Sequence, residues 1–118
     1  MAEVFSVVLE SDKDSPRPTT FRIGVLSHRT MLALPSLKEQ EQVELVVRAG
    51  VRGWDGMADA QGRPVEAVRV EGSQMLFGVE VEKPLALSSY DSLPADCIAE
   101  LAEQVVKQNR TTQEDVGK

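Results

Sequence analysis

Catalysis and metal binding need converging side chains, and this 118-residue chain carries few of the usual ones. It has one histidine, His28, and one cysteine, Cys97. A Ser-His-Asp site would have to use His28 as its base, and no Gly-x-Ser-x-Gly elbow accompanies it. His28 reads instead as a residue at the start of a short helix. A single thiol excludes an internal disulfide and any zinc site built on two or more thiolates. Cys97 reads as a small packed residue. Asp55, Asp59 and Gly62 have part of the spacing of a calcium loop. With Gly62 at the turn position, the first and last ligands would be Met57 and Val68, whose side chains cannot coordinate calcium. The phosphate-cradling patterns Gly-x-x-x-x-Gly-Lys-Ser/Thr and Gly-x-Gly-x-x-Gly are absent. Glu39, Glu41 and Glu44 read as a solvated helix face. The expectation is a protein that is not an enzyme and has no catalytic residue, metal or cofactor.

The charge balance narrows the partners. The net charge is -6, and the basic residues, among them Arg17, Arg22, Arg29, Arg48, Arg52, Arg63, Arg69, Lys83 and Lys107, are scattered rather than clustered, which disfavours nucleic acid. Arg48 and Arg52, four apart, read as two solvated positions on one helix face. No segment approaches the ~20 apolar residues that span a bilayer. The first ten residues lack the positive start and long apolar run of a secretory signal. The expectation is a protein without membrane contact, inside the cell. Apolar residues make up 42% and aromatics only 4%, so the core must be built mainly from Val, Leu and Ala. The length suits one domain.

Residues 4–9 and 20–26 read as strands, with Phe21, Ile23 and Val25 on one face. The polar run between them, with Pro16 and Pro18, reads as the long loop of a hairpin. Residues 27–34 suit a short helix capped by Ser27 and stopped by Pro35. Ser36 and Glu39 match a capping box that opens a helix over about 36–50, with Val43, Val46, Val47 and Gly50 on one stripe. Residues 53–64 are turn-rich, and Trp54 and Met57 could sit on a short strand. Residues 65–81 read as β-like, with Gly72-Ser73 as a turn. Residues 84–93 read as a connector. Pro94 opens the strongest helix, about 94–108, with Ile98, Leu101, Ala102, Val105 and Val106 on its apolar face. Asn109 reads as its cap. The order of elements predicts an α+β fold, with an N-terminal β-hairpin and further short antiparallel strands packed with two main helices. One domain is expected over 1–109, with 110–118 a disordered tail.

Two stretches carry a family resemblance. The first runs from Leu45 through Val51-Arg52-Gly53-Trp54-Asp55-Gly56 to Gly62-Arg63-Pro64-Val65. The second is Leu93-Pro94-Ala95-Asp96-Cys97-Ile98-Ala99-Glu100-Leu101-Ala102-Glu103. Together they resemble small tail-region proteins of long-tailed bacteriophages, including tail assembly chaperones, over about a third of the chain. The resemblance implies binding to other virion proteins, the tail tube or the tape measure, in the host bacterial cytoplasm. It also leaves open a structural component of the head–tail or tail region that stays in the particle, and a homo-oligomer. The candidate protein-binding residues are Trp54, Asp55, Arg63, Ile98, Leu101 and Val105.

Overall fold

The computed structural model describes residues 4–9, 18–58 and 61–116, excepting the side chains of residue 4 and of 110–116. The fold is α+β, as the element order predicts. Strands β1 (Val4–Val8) and β2 (Thr20–Gly24) form the expected antiparallel hairpin, from Val4 opposite Gly24 to Val8 opposite Thr20. The expected loop between them lies largely outside the described residues, as does Asp59. Strand β3 (Val51–Asp55) pairs with the other edge of β2, placing Trp54 opposite Phe21 and Gly53 opposite Arg22. Ile23 then faces Val51, so Arg52 is an extra residue in a β-bulge.

Helix α1 (His28–Ala33) is capped by Ser27, whose hydroxyl accepts from the Thr30 N–H at 3.2 Å. A 3₁₀ turn, Leu34–Ser36, contains Pro35 and ends the segment. Helix α2 (Glu39–Gly50) begins later than the Ser36 capping box predicts. Ser36 Oγ donates to the Ala33 carbonyl instead, and Glu41 Oε1 accepts from the Lys38 N–H at 3.0 Å. Lysine has no acceptor to complete the box, so Glu41 holds that end alone. Leu45 to Gly50 are all buried. The chain passes from Gly50 straight into β3, and Gly53 lies inside the strand.

Strands β4 (Ser73–Leu76) and β5 (Val79–Glu82) form a second antiparallel sheet. Their turn is Phe77-Gly78 rather than Gly72-Ser73. Both turn residues have positive φ, 53° and 83°, the two-residue geometry that matches the right-handed twist of paired strands. Leu76, Val79 and Val81 face inward, while Met75, Glu80 and Glu82 face out. The predicted connector holds a one-turn helix α3 (Leu87–Asp91). Its buried Ser89 hydroxyl accepts from the Val68 N–H at 2.9 Å.

Helix α4 (Ala95–Val116) packs on α2. Leu101 and Val105 are fully buried, and Val105 lies so close to Gly50 that a Cβ there would sit 2.5 Å from its Cγ1. Asn109 is not a cap. The backbone stays helical through Val116, and Asn109 is 1% exposed. Its Oδ1 accepts from the Leu26 N–H at 2.7 Å and its Nδ2 donates to the Val105 carbonyl at 2.7 Å. That carboxamide joins α4 to the end of the first sheet. Among the described residues, no helix is long and apolar enough to cross a membrane.

The Arg48 reading also changes. Arg48 is 4% exposed rather than solvated. Its Nε donates to the Leu85 carbonyl at 2.9 Å, its Nη1 meets Glu44 at 3.0 Å and its Nη2 donates to Gln74 at 3.0 Å. A buried guanidinium needs such partners to offset its desolvation. Here they tie α2 to the second sheet, reinforced by the Leu85 N–H donating to the Arg48 carbonyl at 2.8 Å. Arg52, expected on the same helix face, is on β3.

Candidate functional site

The two stretches that carry the resemblance converge on one side of the molecule. A cleft of about 1270 Å³ opens there, with Arg22 from β2, Trp54 and Asp55 from β3, Met57 and Pro64 from the following loop, and Pro94 before α4 among its walls. The loop is folded back by short-range pairing. The Val65 N–H donates to the Met57 carbonyl at 2.9 Å, and Ala58 bridges to Pro64. The Val65 carbonyl accepts from Trp54 Nε1 at 2.8 Å. Both backbone polar groups of Val65 are therefore used, which fixes that wall of the cleft.

Trp54 is 5% exposed, so the bulk of the indole belongs to the core. It meets Phe21 edge-on, with ring centroids 5.9 Å apart at 65°. That cross-strand arrangement contributes about 0.5–1.5 kcal/mol beyond area burial. The indole N–H ties it to the loop. Trp54 thus shapes the cleft and offers a partner little surface.

Asp55 forms an ion pair with Arg22 from the neighbouring strand. The two side chains are 73% and 42% exposed, so the pair is solvated and contributes about 0–1 kcal/mol to stability. Its role is to place one carboxylate and one guanidinium side by side at the cleft. A partner segment presenting a hydrogen-bonding side chain or free backbone amide could exchange with either member at small cost.

The remaining candidates separate. Arg63 is exposed on the loop between Gly62 and Pro64, and its Nη2 donates to Gln61 at 3.4 Å. Ile98 is half-buried on α4. Leu101 and Val105 are 0% exposed and lie in the protein's own core, as does Trp54. These three residues sit in the core, while Ile98, Ala102 and Val106 on the same face of α4 are partly buried. Arg22, Met57 and Pro94 join the site without having been among the binding candidates. Arg22 had a signal, since it alternates with the buried Phe21 and Ile23. Pro94 lies in the second resemblance stretch, whereas Met57 had no such signal, and only the backward fold of the loop puts Met57 in the cleft wall.

Among the described residues, no group of three or more His, Cys, Asp or Glu side chains could hold a metal ion. His28 is exposed and Cys97 is half-buried and unlinked by a disulfide. No protein-family model, curated protein or solved structure matches the chain.

Proposed function

We propose that this protein acts without catalysis in bacteriophage tail morphogenesis, binding the tail tube or tape measure protein as an assembly chaperone in the host cytoplasm. The observation that carries the reading is the shared cleft. The Gly53–Val65 and Leu93–Glu103 stretches, far apart in sequence, contribute Trp54, Asp55, Pro64 and Pro94 to the same concavity. Its volume of about 1270 Å³ exceeds the ~300–1,000 Å³ of typical small-ligand sites and suits an inserted protein segment. The Arg22–Asp55 pair and the flanking Met57 offer polar and apolar contacts to such a segment. The net charge of -6 favours solubility while the bound protein waits to polymerise.

A second reading is a structural component of the head–tail or tail region that remains in the particle. Its support is the β content, five strands in two antiparallel sheets among the described residues, whereas tail assembly chaperones tend to be mostly helical.

Co-expression with the tail tube and tape measure proteins of the same genome tests both readings. The chaperone reading expects a complex with one of them, weakened by D55K, and no copy of this chain in purified particles. Stoichiometric copies in particles would replace it with the second reading. No complex and no copies in particles would defeat both.

A further inference from the structure

The Arg52 bulge also borders a second hollow, of about 740 Å³, and Arg52 lines both this hollow and the cleft. Four cationic side chains line it, each from a different stretch of chain: Arg29 on α1, Arg52 on β3, Arg69 before β4 and Lys83 after β5. Two of them are held in place. Arg52 is the extra residue of the bulge, a device that re-aims a side chain. It crosses Gly24, where a Cβ would lie 3.0 Å from the guanidinium carbon, and its Nη2 donates to the Val25 carbonyl at 3.1 Å. Arg69 Nε donates to the Lys83 carbonyl at 2.9 Å.

The carboxylates of the hollow match these cations only in part: four cations face Glu80 and Glu82. The ion pairs Arg22–Asp55 and Arg48–Glu44 both lie outside this hollow. Burial, and next the Arg69 charge, push the Arg52 pKa below its usual value, with Glu82 acting in the opposite sense. A guanidinium remains charged all the same, so the fold holds two like charges near each other in a half-buried place. That cost would be relieved by an anion bound between them.

Glu80 and Glu82 also line the hollow. They leave a net excess of two positive charges, and they set the kind of anion that fits. An extended polyanion such as a nucleic acid strand would bring phosphates against both carboxylates. A compact dianion pairs with the guanidinium groups over a smaller area than an extended strand covers and so meets less of that repulsion.

We propose that the hollow bounded by Arg29, Arg52, Arg69 and Lys83 is a binding site for a compact phosphate-type dianion, either free phosphate or the phosphoryl group of a small monoester. The site shares Arg52 with the cleft, but the proposal does not rest on the phage reading.

The test is titration of the full-length protein with inorganic phosphate and with ribose 5-phosphate at constant ionic strength, followed by amide chemical shifts. The expected result is saturable binding with Kd below about 1 mM, with shifts concentrated at residues 25–30 and 80–83. R69Q and R29Q should each weaken it about tenfold. Arg29 is exposed, so R29Q keeps the fold. E80Q should tighten binding several-fold, a gain that an unfolded variant could not produce. Binding of inorganic phosphate alone would assign the free ion, and binding of both a phosphoryl group. Absence of saturation by ~20 mM phosphate, or affinity unmoved by R69Q and E80Q, would overturn the proposal. So would binding confined to a single-stranded oligonucleotide.

Discussion

Replacing Asn109 with alanine tests the joint between α4 and the first sheet. In the native protein Asn109 Oδ1 accepts from the Leu26 N–H at 2.7 Å in a buried setting. Alanine leaves that amide without a partner, which costs about 1–3 kcal/mol. The lost carboxamide also leaves a small void, worth about 1 kcal/mol more. The Val105 carbonyl suffers less, because it lies within the helical ladder of α4. The sum is about 2–4 kcal/mol, or a fall in Tm of about 10 °C for a chain of this size. Urea unfolding followed by far-UV circular dichroism and Trp54 fluorescence gives the number directly. N109D adds a sign test. Its buried carboxyl group would have a folded-state pKa above the unfolded value of about 3.9. The unfolded state then loses its proton first, so the penalty relative to wild type should grow as pH rises from about 4. A loss under about 0.5 kcal/mol for N109A, or a penalty for N109D that shrinks with rising pH, would refute this account of the joint.

Three further outcomes are expected. G50A should destabilise by about 1–3 kcal/mol through overpacking against Val105, and V105A in the same chain should give back part of that loss, a coupling a double-mutant cycle measures by chemical denaturation. F77N should raise stability by about 0.5–1 kcal/mol, because Phe77 holds a left-handed φ of 53° that Asn adopts more easily; calorimetry showing a loss would mean the aromatic ring contributes more than its strain costs. Tyr90 is the only tyrosine, and burial first, then the Glu44 and Asp91 charges, raise its pKa above the usual value of 10.0. Its absorbance titration should therefore lie above pH 10, and stability should fall as pH rises from about 10 through the folded pKa, because the unfolded chain ionises first. Y90F should lose less stability over the same interval.

Local signals located most elements. The alternation of Phe21 and Ile23 with polar neighbours marked β2, and Ser27 and Pro35 bounded α1. The three- and four-residue spacing of Leu101 and Val105 marked the buried face of α4. These features depend on side-chain periodicity and on backbone groups within one turn, which neighbouring residues settle. The turn of the second hairpin did not follow from such rules. Gly72-Ser73 is the better turn by composition, but pairing Leu76 with Val79 puts the inward face of both strands on the core. That burial gain placed Phe77 at the turn despite its strained φ.

The same division runs through the functional residues. The sequence alone determined the α+β class, the scarcity of catalytic parts and the two stretches that carry the resemblance. Only the tertiary structure decided which of their residues face out. Trp54, Leu101 and Val105 went to the core because apolar area is most stable away from water. Asp55 stayed exposed beside Arg22, and Arg48 went inside because Leu85, Glu44 and Gln74, 4 to 37 positions away in the chain, supply its hydrogen bonds. Partners at such separations exist only once the chain has folded, and so one arginine in the sequence becomes a buried tie while another, four residues on, lines a hollow.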